Sequence, residues 1–468
     1  MPPSPAGRDH AATAPAHSLG RRRDLAVQAA VRQGLLDQRQ PVVGLLDVAA
    51  LRERAAALRA AFDDVTAPGT ATLHAFAVKA ASLVPVLRLL RDAGLGAEVA
   101  SPGELALARA AGVPPERVVF DSPAKTTEEL REALRLGIAV NADNPQELAR
   151  LDALVPACDR PPPIGLRVNP QLGAGTIGAV STATATSKFG VALRDAGARE
   201  EVRRAFLARP WLNRLHVHSG SQGVPAELMA EGVAAGHALA EEINSAAGRR
   251  QITGIDIGGG LPVDFTTDDP AEDFAAYAAL LRRRVPGLFD GRYTLVTEFG
   301  RALAAKAGTV LARVEYTKSA GGRAIAVTHA GAQTAVRTVF APDAWPLRVL
   351  TYDASGAPKN AARTGAGTVA ASVVQDVAGP CCFAGDLVAT GRELPALAPG
   401  DLVALPDTGA YYFSTPFGYN SLPRPGVYGF GVDRSGEVRF ATVRRPQSLA
   451  EIVAEAGGAH EEALTALR

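Results

Sequence analysis

Between about residue 70 and residue 305, short apolar runs alternate with helix-period segments eight times over, and this constrains the fold more than any other feature of the chain. The runs cover 73–79, 95–101, 117–121, 138–141, 164–169, 215–219, 255–258 and 295–298. Helical patterns fill the gaps at 83–93, 104–111, 127–136 and 145–154. The last of these starts with Asn144 as a candidate N-cap and Pro145 in the first helical position, the residues that suit those places. Eight strand–helix units in this length fit a (β/α)8 TIM barrel better than an open sheet. Periodicity does not reveal closure, so an open doubly wound sheet stays as the other solution.

A barrel of this kind puts its working groups at the C-terminal ends of the strands, with a phosphate site after the seventh and eighth. The polar residues fall at those ends: Lys79, Glu98, Asp121, Asn141, Arg167, Asn169, His218, Gly258-Gly259-Gly260 and Glu298. A glycine triplet is commonly only a turn. After the seventh run, however, its bare amides can approach a phosphate and open a helix N-terminus towards it. Lys79 is one of only six lysines in the chain. It stands among Phe76, Val78 and alanines, where desolvation disfavours the ammonium and biases the group towards a neutral amine able to form an imine. Alone, a lysine there is more often ion-paired or snorkelling.

Length and composition set the remaining bounds. A chain of 468 residues, 47% of them hydrophobic, has room for two domains. The 49 basic and 48 acidic residues leave a net charge of +1, with no footprint for nucleic acid or an acidic membrane. Arg21-Arg22-Arg23 reads as a solvated face. Cys158, Cys381 and Cys382 make no disulfide framework, and with the eight histidines they show no metal-ligand spacing, which suits the cytoplasm. Residues 1–20 read as a disordered tail without the apolar segment of a signal peptide, and no stretch approaches a membrane span. The barrel is assigned to 49–305. From 306 to 445 the texture turns to β-rich runs (309–316, 324–328, 347–352, 402–405, 426–431), a second, C-terminal all-β domain. The segment 21–48 contains a strand candidate at 41–47 expected to join that sheet, and 446–468 reads as a terminal amphipathic helix.

Several segments together carry a family likeness: Phe76-Ala77-Val78-Lys79-Ala80, Ser187-Lys188-Phe189-Gly190, His216-Val217-His218-Ser219-Gly220-Ser221-Gln222, Gly258-Gly259-Gly260, Glu298-Phe299-Gly300-Arg301, Gly379-Pro380-Cys381-Cys382 and Gly409-Ala410-Tyr411. From about residue 40 to 430 the chain resembles the fold-type III pyridoxal-phosphate decarboxylases, the diaminopimelate and ornithine decarboxylase group, with the diaminopimelate branch nearest. The resemblance implies an alanine racemase-like barrel with pyridoxal 5'-phosphate as cofactor. It implies that Lys79 holds the cofactor as an imine, that Glu298 faces the pyridine nitrogen so that the ring acts as an electron sink, and that His218 stacks on the ring. Ser221, Gly258, Gly259 and Gly260 would hold the phosphate, with Gly300 and Arg301 beside it. Tyr411 would touch phosphate and substrate, and Cys382 would return a proton to the carbanion from the partner subunit of a homodimer with shared sites. Each has a plainer reading: His218 and His216 as core histidines, Glu298 as a salt-bridge partner of Arg301, Cys382 and Cys381 as small apolar fillers.

The departures concern substrate. Phe383 stands where the family carries an acidic residue for the amine at the far end of the substrate, and a phenyl ring cannot neutralise an ammonium. Arg337 keeps the carboxylate-binding arginine of its segment, while His329, Ala341, Phe299 and Ala81 replace an aspartate, a tyrosine, a proline and an asparagine. The expectation is α-decarboxylation of an amino acid other than meso-diaminopimelate, with Arg301, Arg337, Phe383 and Tyr411 touching substrate. A racemase or epimerase using Lys79 and Cys382 as two bases is the alternative. A non-catalytic cofactor carrier is less compatible with a retained lysine and phosphate glycines.

Overall fold

The computed structural model describes residues 17–269, 273–359, 372–465 and 467. All eight expected strands form, as Thr72–Ala77, Gly96–Val99, Val118–Asp121, Ala139–Ala142, Ile164–Asn169, Leu212–His216, Gly254–Asp256 and Thr294–Thr297. They pair in parallel, each with its neighbours in that order. The circle closes where Leu295 pairs with Thr72, and it is unbroken between the fourth and fifth strands, where Val140 pairs with Ile164. Closure eliminates the open sheet. The helices start as the sequence directs. Thr126 and Glu129 form a reciprocal capping box ahead of Thr127–Leu136, and Asn144 accepts the Glu147 amide at 3.0 Å ahead of Pro145–Leu154, each cap satisfying otherwise orphaned donors.

The second domain is built on a sheet ordered Leu387–Pro395, Ser372–Ala378, Arg323–Thr328, Gly308–Ala320, Val42–Asp47, Gly426–Val432 and Val438–Arg444. Leu402–Pro406 also pairs with Gly308–Ala320, and Leu350–Tyr352 lies beyond it. The strand candidate before the barrel is thus central here, antiparallel to Gly308–Ala320 and parallel to Gly426–Val432. A short helix, Ala332–Phe340, interrupts the β texture. The strand Ser372–Ala378 gave no apolar run because it buries Gln375 and Asp376, whose polar groups are met by the Leu394 and Pro395 carbonyls and by Arg323.

Three readings at the termini need correction or bounds. Residues 1–16 of the expected tail lie outside the described residues, but Leu19 and Gly20 already belong to a helix, Leu19–Arg32, capped by Ser18. The arginine triplet within it is no solvated face. Arg22 is buried with its Nε 2.6 Å from Asp47, and Arg23 makes a two-pronged contact with Asp268 at 2.8 and 3.0 Å. Further along the same buried face, Ala26, Val27, Ala29 and Ala30 pack against Val43, Leu45, Leu311 and Phe430 of the sheet. At the other end, α-helix among the described residues covers Leu449–Glu455, with a single 3₁₀ turn at Gly458–His460. The α-helix stops before Gly457, whose φ of 86° is left-handed, a conformation natural to glycine beyond a helix end. Among the described residues no helix is long and apolar enough to cross a membrane.

Candidate active site at the mouth of the barrel

Lys79 follows the first strand in a single 3₁₀ turn, Val78–Ala80. The β domain clamps that turn: the Tyr411 amide donates to the Ala80 carbonyl at 2.7 Å and the Ser414 hydroxyl to the Lys79 carbonyl at 2.8 Å. The side chain enters a cavity of about 330 Å³ between barrel and β domain and is 46% accessible there. Its Nζ lies 2.5 Å from Oε2 of the fully buried Glu98. This reverses the charge state expected from burial alone. Desolvation does press the lysine downward, but the Glu98 carboxylate, with Tyr411 and Glu298 behind it, outweighs that and raises the pKa. Burial in turn pushes Glu98 up to about 7, against the opposing pull of Lys79.

The cavity wall also takes His218, Ser221, Gly260, Glu298, Gly300 and Arg301. Arg337 and Tyr411 complete the set of sequence-predicted residues found there. Gly258 and Gly259 stand immediately behind Gly260. A Cβ on Gly259 would meet the Glu298 carbonyl oxygen at 2.2 Å and one on Gly260 the Gly220 carbonyl oxygen at 2.1 Å. Gly258 and Gly260 also have φ of 65° and 117°, so all three positions demand glycine. The Gly259 amide donates to His218 Nδ1 at 3.1 Å, which fixes that nitrogen as an acceptor. Burial, followed by the nearby Arg167 and Lys79 charges, holds the His218 pKa well below its ordinary value, leaving a neutral imidazole.

Beneath the cavity lies a polar floor that sequence reading did not assemble. Glu298 Oε2 is 3.6 Å from His216 Nε2, and His216 Nδ1 is 3.5 Å from Asp121 Oδ2. Asn141 donates to Asp256 at 3.1 Å. Burial first, then the facing Asp121 and Asp256 carboxylates, raise Glu298 well above the usual carboxylate range. Its Oε1 is buried without a hydrogen-bond partner. Period-2 spacing from recognised residues (His216 before His218, Asp256 before Gly258) was the available signal for this floor, since such residues share a strand face.

Arg301 does not pair with Glu298. It is buried, with no carboxylate partner among the described residues, and its guanidinium lies 4.5 Å from the Trp345 ring centre and 4.6 Å from that of Tyr411. Arg337 stacks on the same two rings at 5.1 and 4.4 Å. Desolvation lowers Arg301 to about 10, so the pair forms a cationic wall awaiting an anion. Phe189 and Thr182 line the cavity as well, unforeseen because they come from the irregular stretch after the fifth strand. Cys382 and Phe383 are absent from the wall. Cys382 is exposed, its amide donating to Asn420 Oδ1 at 2.8 Å. Cys381 is buried, as its reading as a filler anticipated, and burial pushes its thiol up to about 11. Phe299 packs against Phe62, Phe274 and Tyr277 at 6.2, 5.2 and 6.2 Å.

An amine, a glycine-walled anion cradle and an unsatisfied buried carboxyl converging on one cavity fit a phosphorylated pyridine aldehyde. The comparisons agree. Residues 48–305 match the pyridoxal binding domain of the pyridoxal-dependent decarboxylases, and the chain belongs to that family, whose cofactor is pyridoxal phosphate. Diaminopimelate decarboxylase of Pseudomonas fluorescens is 34% identical over 391 residues, 82% of this chain and 86% of that one. Among solved structures, Helicobacter pylori diaminopimelate decarboxylase complexed with L-lysine superposes with a TM-score of 0.76 at 24% identity, covering 92% of this chain and all of the other. Lysine/ornithine decarboxylase of Vibrio vulnificus, complexed with putrescine, gives 0.69 at 22%, covering 87% and 97%. At those identities the two structures bear on the fold alone.

Proposed function

We propose that the protein α-decarboxylates an amino acid other than meso-diaminopimelate, one whose distal part is apolar or ends in a carboxylate. The observation that carries this reading is the cavity shared by Lys79, Glu298 and the Arg301–Arg337 pair, set against a phenyl ring at position 383. When bound, pyridoxal phosphate supplies an aldehyde for an amine to join and a protonated ring that draws electrons from Cα. Lys79, His218, Ser221, Gly258, Gly259, Gly260, Glu298, Gly300, Arg301 and Tyr411 would hold it.

The chain's own groups divide the remaining work. Glu98, 2.5 Å from the Lys79 nitrogen, is the carboxylate placed to receive the proton that this nitrogen must lose before it can act as a nucleophile. Burial raises the Glu298 carboxyl above its usual range, and its Oε1, without a hydrogen-bond partner among the described residues, would accept from a protonated ring nitrogen. The Gly260 amide and the Ser221 hydroxyl offer donors to a phosphate, while the Gly258 and Gly259 amides are spent on Asp256 Oδ1 and His218 Nδ1 and fix the shape of the turn. Neutral His218 offers a flat face without charge. Arg301, buried, and Arg337, half-buried, present a preorganised pair of guanidinium groups to a carboxylate.

Cys382 is proposed as the donor that returns a proton to Cα. It is exposed and off the wall of its own chain's cavity, so a second copy of the chain would bring it there, making the dimer a condition of activity. The test is product analysis in deuterium oxide with the holoenzyme and a panel of amino acids. Carbon dioxide release with one deuterium at Cα is expected, and Lys79→Ala should abolish it. Solvent exchange with the carboxyl retained would instead establish a racemase. Turnover of meso-diaminopimelate at the rate of a dedicated enzyme would overturn the substrate reading.

A further inference from the structure

Cys382 does not stand alone on its surface. Phe383 beside it lies parallel to Phe340, centroids 5.5 Å apart and planes at 12°. Phe340 meets Phe417 edge-on at 5.5 Å, Phe417 lies parallel to Tyr419 at 5.8 Å, and Tyr419 meets Phe383 edge-on at 5.7 Å. Four rings thus close a circuit in which each has one parallel and one perpendicular neighbour, both arrangements favoured by the ring quadrupole. Among the described residues nothing covers the patch, with Phe340 60% and Tyr419 42% exposed. It is nevertheless tied to the cysteine: the Tyr419 hydroxyl donates to the Cys382 carbonyl at 3.4 Å and Asn420 accepts the Cys382 amide. Asn420 and Ser421 hold left-handed φ of 58° and 51°, strain that a merely solvated loop would relieve.

We propose that Phe340, Phe383, Phe417 and Tyr419 form the distal wall of the substrate site to which Cys382 is delivered, and that the substrate is an α-amino acid with an aromatic side chain. The inference rests on the reading above that a second copy carries Cys382 to the Lys79 cavity, because whatever places the thiol at Cα places these rings beside the side chain that Cα bears. For a distal ammonium the wall offers ring faces, a cation–π contact, and not the acidic side chain that position 383 would otherwise supply. Asp386, the carboxylate nearest Phe383 in sequence, has both oxygens engaged by the Ala332 and Cys381 amides at 2.6 and 2.7 Å. A charged end would gain a cation–π contact without a carboxylate partner, whereas a substrate ring extends the existing edge-and-face packing.

The test is equilibrium binding of two amines to the holoenzyme by calorimetry, phenethylamine and cadaverine, alongside carbon dioxide release from both enantiomers of phenylalanine. Phenethylamine should bind at least about tenfold tighter than cadaverine, about 1.4 kcal/mol. Phe340→Ala should erase the preference, and Phe383→Glu should invert it. Equal binding of the two amines overturns the proposal. So does a Phe340→Ala protein that keeps the preference but loses its dimer, which would make the patch a contact between copies only. Selective phenethylamine binding without gas release from any amino acid would leave the aromatic wall standing and remove the decarboxylase reading. Gas release confined to aliphatic or acidic amino acids would do the reverse.

Discussion

Lys79 and Glu98 illustrate how a single neighbour can reverse an inference drawn from burial. The apolar setting of Lys79 was legible from Phe76 and Val78, and it argued for a neutral amine. Glu98 sits on the adjacent strand, and no local pattern in the sequence says that its Oε2 comes within 2.5 Å of the lysine nitrogen. The consequence is testable in the loading of the cofactor. Glu98 raises the Lys79 pKa, so at neutral pH the amine is protonated and unable to attack an aldehyde. In Glu98→Gln that support is gone, and the pH midpoint for loading of apoprotein by pyridoxal phosphate should fall by about one unit or more. Stopped-flow absorbance across a pH series measures it, and an unmoved midpoint would mean that Glu98 is only a structural anion. Phe299 yields a second residue-scale prediction. Fully buried against three aromatic rings, it should lose about 3–5 kcal/mol of stability on change to Ala, read from denaturant unfolding.

At the scale of elements, what was legible followed chemistry that is local in sequence. The eight barrel strands announced themselves because apolar runs buried in a parallel barrel need no alternation, and Thr127–Leu136 and Pro145–Leu154 carried their own caps. Ser372–Ala378 stayed hidden because its buried Gln375 and Asp376 are satisfied by groups of the neighbouring strand, and Leu387–Pro395 because the mostly exposed polar stretch 390–393 splits its apolar ends. The polar floor under Glu298 was hidden because its members come from separate strands, and only the closed barrel brings them together. The loop bearing Tyr411 shows how closely such elements are fitted. A Cβ at Gly409 would meet the Ala304 carbonyl oxygen at 1.9 Å, and the same loop holds the Lys79 turn through Tyr411 and Ser414. Gly409→Ala should therefore cost about 1–3 kcal/mol through overpacking and weaken cofactor retention as well. Comparing the melting shift of apoprotein with that of holoprotein separates the two, and an equal shift in both would confine the glycine to a packing role.

Across the whole molecule, one carboxylate joins parts that the sequence keeps far apart. Asp268, from the barrel, accepts both prongs of Arg23 from the first helix and, at 2.8 Å, Arg348 from the β domain, while Arg348 also reaches Asp407 at 2.9 Å and Lys306 lies 3.2 Å from that same aspartate. Arg23, from a triplet read as a solvated face, is in fact half of this clasp, a role that no window around residues 21–23 reveals. Burial opposes ionisation of Asp268, but hydrogen bonds and charge from Arg23 and then Arg348 prevail and hold it at about 2. The folded pKa is thus below the unfolded value of about 3.9. The clasp contributes in full above that unfolded pKa, and its contribution is lost as pH falls through about 2. Because Asp268 is one-third exposed, solvent screening reduces the contribution to roughly 1–2 kcal/mol. Asp268→Asn should accordingly be less stable than the parent by that amount at pH 6, with the gap closing between about pH 4 and pH 2. Paired urea titrations over that range measure the gap. A gap that stays constant into acid would show that the arginines gain as much from solvent as from the carboxylate, and that the union of helix, barrel and sheet rests on apolar contact alone.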